Sequence, residues 1–176
     1  NQPVTLTKES FDPKEEYFVT PKVDGMRMLL FFTDSGVFSI NSKLEFAKVK
    51  FTKFAKEFSG VLLDTELYKG KFYVFDILFG QSGVDLRKNY NLKERIKYFS
   101  EIIQKVKSKK LIEKKYSKLE CSSFLKQIEE SHMKFKSGEL DGFILTPSDD
   151  YNSKILKWKP SELLSIDFEI KNGEAD

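Results

Sequence analysis

Val61-Leu-Leu-Asp-Thr-Glu-Leu-Tyr68, then Lys69-Gly70, then Lys71-Phe-Tyr-Val-Phe-Asp-Ile-Leu-Phe79 is the stretch on which the fold is read. Two apolar runs flank a short glycine-containing turn, the pattern of a β-hairpin. Upstream, Tyr17-Phe-Val-Thr20 reads as a short strand halted by Pro21. Met26–Phe32 and Val37–Ile40 read as a second pair around the Ser35-Gly36 turn. Phe51, Phe54, Ala55 and Phe58 recur at helical spacing before Gly60. Downstream, Leu92, Ile96, Phe99, Ile103 and Val106 form one stripe of a helix over 92–107. Residues 107–118 are lysine-dominated and read as a solvated connection. A second helix is expected over 121–133, with Phe124, Leu125 and Ile128 inward. Strands are expected at 140–145, 155–159 and 166–170. Strands that pair locally, with helices between blocks of them, specify an α+β fold with mainly antiparallel sheets flanked by helices, not a doubly wound parallel sheet.

Composition bounds the rest. With 176 residues, 40% hydrophobic and 14% aromatic, the chain can bury a core and is not disordered in bulk. It has no apolar run of membrane-spanning length, so no membrane partner is expected. The single cysteine, Cys121, excludes an internal disulfide and a multi-cysteine zinc site, and fits a reducing intracellular compartment. On the amphipathic helix expected there it reads as ordinary packing. The lone His132, among glutamates and lysines, reads as a surface residue. The net charge of +3 hides 27 lysines against three arginines, Arg27, Arg87 and Arg95. Arginine recognises carboxylate and phosphate through a planar fork, so in this chain each arginine is a candidate for geometry rather than bulk charge.

Lys22-Val-Asp-Gly-Met-Arg27 places a lysine at a strand end beside a tight turn, with an arginine five positions on. The glycine permits close approach of a ligand to the backbone, and Arg27 can hold a ribose or phosphate oxygen. Lys22 is a candidate nucleophile if burial and neighbouring cations free its amine. Asp64 and Glu66 are two apart on a strand and share a face, which suits a divalent metal or an ammonium. Lys157 and Lys159 also share a face, an arrangement favoured by an anion lying between them. Asp141-Gly142 repeats the acid-plus-glycine arrangement at another strand entry. Phe75 and Ile144 can sandwich a flat base, although core packing is their default reading.

In order, Lys22-Val-Asp-Gly-Met-Arg27, Asp64-Thr-Glu-Leu67, Phe75-Asp-Ile-Leu78, Asp141-Gly-Phe-Ile144 and Leu156-Lys-Trp-Lys-Pro160 resemble the successive motifs of the covalent nucleotidyltransferases. That superfamily includes mRNA capping guanylyltransferases and polynucleotide ligases. Leu156–Pro160 followed by Ser165-Ile-Asp-Phe168, together with Tyr17–Lys22, resembles the capping branch.

The resemblance implies a nucleotidyltransferase domain over 1–176 in which Lys22 attacks the α-phosphorus of GTP. The resulting lysine–GMP would then be transferred to the 5′-diphosphate end of an RNA, forming the cap. Arg27 and Glu66 would bind the nucleotide, Phe75 and Ile144 would clamp guanine, and Lys157 and Lys159 would hold the phosphates. Glu66 and Asp141 would serve a magnesium or manganese ion. Arg95 would be structural, pairing with Asp76. The resemblance also implies a C-terminal OB-fold domain, for which this chain leaves no room, so binding of GTP with slow or absent self-guanylylation is expected. Triphosphatase and methyltransferase domains are the implied further partners. A compact, cytoplasmic viral-type enzyme is expected. The alternatives are an ATP-dependent RNA or DNA ligase core, or a degenerate nucleotide-binding module of a capping complex. Val23 stands where several relatives carry a hydroxyl residue able to contact the base.

Overall fold

The computed structural model describes residues 2–51, 56–149 and 151–160, and the backbone of 170–171 and 174–175. Chain order begins with β1 (Val4–Thr5), β2 (Tyr17–Val23), β3 (Met26–Thr33), β4 (Gly36–Ile40) and β5 (Phe46–Val49). A 3-10 turn at Lys56–Phe58 precedes β6 (Leu62–Tyr68) and β7 (Lys71–Phe79), the expected hairpin. Then come α1 (Leu92–Val106), β8 (Leu111–Glu113), β9 (Ser117–Lys118), α2 (Cys121–Glu130) and α3 (His132–Lys136). The last elements are β10 (Leu140–Pro147), β11 (Leu156–Trp158), β12 (Ile170–Lys171) and β13 (Glu174–Ala175).

Two sheets carry the architecture. One runs β1-β11-β10-β2-β9, the other β5-β4-β3-β6-β7-β8, while β12 and β13 pair with each other. Only β1·β11 and β7·β8 are parallel among the named pairings, so the mainly antiparallel α+β class holds. Alternation sorts the six-stranded sheet into two faces. Met28, Leu30, Phe32, Leu63 and Val74 bury one face with Phe99, Ile102 and Val106 of α1. Arg27, Asp64, Glu66 and Phe75 lie on the other. The five-stranded sheet buries Val19, Phe143, Leu145 and Leu156 against Phe135, with Phe124 and Trp158 packed on them. Thr20, Lys22, Ile144 and Thr146 face the six-stranded sheet instead. The cleft therefore lies between two sheets, each supported by its own core.

Several expectations are corrected. The strand at Tyr17 does not stop at Pro21 but runs to Val23. The carbonyl of Tyr17 accepts from the Leu119 amide at 2.8 Å, so odd-numbered backbone groups of β2 point toward β9. β9 pairs only with Phe18 and Val19, so the missing N–H of Pro21 leaves no ladder bond unmade. The lysine-rich connection is partly strand: β8 lies parallel to β7, and β9 edges β2. The second helix divides at Ser131, with Leu125 exposed rather than inward and Cys121 exposed rather than packed. His132 is on the surface as expected. Of the stretch around Phe51–Phe58, Lys56–Phe58 forms a 3-10 turn and 52–55 lie outside the described residues; 166–169 do as well. No helix among the described residues is long and apolar enough to cross a membrane.

The long helix α1 is fixed at both ends by local sequence. Asn91 accepts from the Glu94 amide at 3.0 Å while Glu94 accepts from the Asn91 amide at 2.8 Å, a capping box. Lys107 closes it with φ 49°. Arg95, one turn in, is buried and pairs with Asp76 at 2.8 Å, as its position in the sequence predicts. Its Nη1 also donates to the Tyr90 carbonyl at 2.8 Å. A buried arginine with both a carboxylate and a carbonyl partner ties α1 to β7 below the cleft.

Candidate active site

Lys22 stands on β2 directly opposite Gly142 on β10. Gly142 has φ 148°, and a Cβ there would collide with the carbonyl oxygen of Trp158. Only glycine lets β11 run this close alongside β10 at the level of the lysine. The irregular register between Leu140 and Gly142 turns Asp141 toward Lys22. The Lys22 ammonium lies 2.8 Å from both Asp141 oxygens and donates its hydrogen bond to Oδ2. Lys159 reaches the same Oδ2 at 2.9 Å. Asp141 thus joins two ammonium groups, yet its Oδ1 is buried without a hydrogen-bond partner.

From the other sheet, Arg27 is the register partner of Glu66. Its fork holds Asp64, Nε to Oδ1 at 3.0 Å and Nη2 to Oδ2 at 2.6 Å. Asp64 is buried, and this paired carboxylate raises the Arg27 guanidinium above its ordinary value. Burial pushes the Glu66 carboxyl up, against the pull of Lys114, Lys22 and the Gly25 amide.

A cavity of about 160 Å³ opens between the sheets. Lys22, Arg27, Glu66, Phe75 and Ile144, all singled out in the sequence, line it. Phe75 comes from one sheet and Ile144 from the other, so a flat group entering the cavity meets an apolar side chain on each side. Asp141 and Lys159 join the group through Lys22. Lys157 is the register partner of Ile144 and therefore shares its face. It does not line the cavity, and among the described residues it forms no ion pair.

Lys114 belongs to this site and was hidden in the segment read as solvated. It is 8% exposed, lines the cavity, and holds its ammonium 5.2 Å from the Phe75 ring centroid. Its amide donates to the Val74 carbonyl at 2.9 Å, which anchors it beside Phe75. Burial lowers its pKa to about 8, opposed by the attraction of Glu66 and reinforced by Lys22. The adjacent apolar pair Leu111-Ile112 was the signal of a strand entering the core. Tyr116 crosses the same wall, donating from its hydroxyl to the Phe75 carbonyl at 2.8 Å. Tyr151, from the β10–β11 loop, also lines the cavity.

A lysine near a strand end, two carboxylates on the facing sheet and a paired acid–lysine array thus line or border one cleft. Residues 1–161 match the family model of the mRNA capping enzyme catalytic domain. The chain belongs to that family. Over 95 residues, 51% of this chain, it is 35% identical to a probable mRNA-capping enzyme of Acanthamoeba polyphaga mimivirus, of which it spans only 8%. Solved structures of the same fold include a Lig E DNA ligase, with TM-score 0.58, 15% identity, 91% of this chain and 69% of that one. The ligase domain of M. tuberculosis LigD gives TM-score 0.61 and 13% identity over 89% of this chain and 57% of that one. These place the capping-family chain on the nucleotidyltransferase fold shared with DNA ligases.

Proposed function

We propose that this capping-family domain is a GTP:RNA guanylyltransferase acting through a covalent Lys22–GMP intermediate. The observation that carries the reading is the Lys22–Asp141–Lys159 array at the mouth of a cavity walled by Phe75 and Ile144. The Lys22 nitrogen would bond to the α-phosphorus of GTP as the bond to the bridging α–β oxygen breaks and pyrophosphate leaves. The ammonium must first lose a proton, and the Asp141 carboxylate at 2.8 Å is the base within reach. A terminal phosphate oxygen of 5′-diphosphate RNA would then displace Lys22 from phosphorus. Lys159 and Lys157, on the same side of β11, would neutralise the phosphates, so catalysis is chiefly positioning and charge. Arg27 reaches the cavity while its fork is held by Asp64, leaving its remaining N–H groups for a sugar or phosphate oxygen.

A magnesium or manganese ion fits the donor set as a shared, not caged, ligand. Among the described residues no group of three acidic, histidine or cysteine side chains surrounds one point. The buried Oδ1 of Asp141, which accepts no hydrogen bond although the Lys22 ammonium lies 2.8 Å away, and the Glu66 carboxylate are oxygen donors of the required kind, with phosphate oxygens supplying the rest. When bound, the ion would screen the triphosphate charge and assist pyrophosphate departure. The other partners are RNA and the remaining domains of a larger capping polypeptide; the mimivirus relative supports a viral-type enzyme, and a cytoplasmic setting is part of the proposal.

The test is labelling by α-phosphate-labelled GTP and, separately, ATP, with Lys22→Ala as control. Label from GTP that depends on Lys22 supports the reading. Label from ATP alone assigns the ligase alternative. Nucleotide binding without any adduct, in the chain joined to a downstream OB-fold domain, assigns a binding module.

A further inference from the structure

Beyond the phosphates and the reacting amine, the cavity has to choose a base, and Thr20 has the hydrogen-bonding character for that task. Thr20 stands two residues before Lys22 on the same face of β2 and is the register partner of Ile144. Its side chain therefore lies next to one apolar wall of the cavity, which it helps to line. It is buried, and its hydroxyl donates to the carbonyl of Lys115 at 3.0 Å. A hydroxyl has one proton and two lone pairs, so with the proton committed it can only accept from a molecule in the cavity. Burial sharpens that choice, because water does not compete for the lone pair.

Two of the cavity's carboxylates are already engaged. Asp64 is gripped by Arg27 and Asp76 by Arg95. Glu66 sits beside Lys22 and Gly25, at the reacting end. Val23, also lining the cavity, adds no polar atom. Lys114, joined to the peptide that fixes Thr20, offers only donors. A nucleotide whose phosphorus meets Lys22 and whose base rests on Ile144 carries a base edge past Thr20.

We propose that the Thr20 hydroxyl accepts a hydrogen bond from the 2-amino group of guanine and so sets the base preference of the site. This rests on the guanylyltransferase reading given above. Purines that lack that amino group leave the Thr20 lone pair unpaired in a dry pocket, which is disfavoured relative to guanine.

Equilibrium binding of GTP, ITP and ATP to the 176-residue protein tests this, because ITP differs from GTP only in lacking the 2-amino group. The wild type is expected to bind GTP about two- to twelvefold more tightly than ITP, the range of one hydrogen bond. Thr20→Val should bring GTP down to the level of ITP while leaving ITP unchanged, and Thr20→Ser should keep the preference. A valine variant that weakens GTP and ITP equally overturns the assignment, because a purely structural role moves both. Thr146→Val is the comparison, since Thr146 is the other cavity threonine. Loss of the preference there, with Thr20→Val neutral, also overturns it. Wild-type preference for ATP overturns the guanylyltransferase reading itself, whereas GTP preference insensitive to Thr20 removes only the role of this residue.

Discussion

Replacing Lys114 by methionine should make the protein more stable and a poorer nucleotide binder. The side chain is 8% exposed among Phe75, Tyr116 and the cavity wall, and its pKa falls from 10.5 to about 8, with burial the largest cause. At 1.36 kcal/mol per pH unit, that fall corresponds to roughly 3 kcal/mol of penalty for keeping the amine charged in the folded state. The folded protein holds this proton less tightly than the unfolded chain does. Unfolding therefore takes up a proton between about pH 8 and 10.5, and the contribution of this residue to stability rises with pH across that window. Below pH 8 the penalty is fully present. Methionine fills a similar volume without charge, so Lys114→Met should gain on the order of 3 kcal/mol at pH 7. Urea denaturation at pH 7, 8, 9 and 10 reads the difference directly, and it should shrink steadily above pH 8. A variant less stable than the wild type at pH 7, or a gain that does not change with pH, would refute the reasoning. GTP affinity should fall in the same variant, the pattern of a residue retained for function at a cost in stability.

Other perturbations follow from the same geometry. Arg95→Met leaves the Asp76 carboxylate buried and unpaired and should cost about 3–5 kcal/mol in urea denaturation. Gly142→Ala drives a Cβ into the Trp158 carbonyl at a φ that alanine avoids, and should lower the melting temperature and abolish Lys22 reactivity together. Arg27→Lys keeps the charge but loses the two-pronged grip on Asp64, and should weaken GTP binding by about tenfold, one lost charge-assisted contact, measured by titration.

The residues that line or border the cleft were largely legible because their reasons are local. A glycine beside an acid, two carboxylates two residues apart, and paired lysines before a proline each report a strand face, and the fold aligns those faces on one cleft. The hairpin at 61–79 and the helix at 92–106 were readable for the same reason, since each carries its own periodicity and turn or cap. Pro21 misled because a proline ends a strand only where its missing donor would have met a neighbour, and β9 stops short of it. Lys114 was invisible because its burial is imposed by tertiary structure. Composition places a lysine-rich run in solvent, whereas β8 docks beside β7 and carries this one amine inside. Leu125 failed in the opposite direction: at helical spacing beside Phe124 it looked inward, but only Phe124 and Ile128 reach the aromatic cluster of Phe143 and Trp158.

The most direct measurement is peptide mass spectrometry of the protein after prolonged incubation with GTP and magnesium. The account predicts one GMP attached through nitrogen to Lys22, reversed by added pyrophosphate and absent from Lys22→Ala. GMP found on Lys114 or on a surface lysine, with Lys22 untouched, would contradict it.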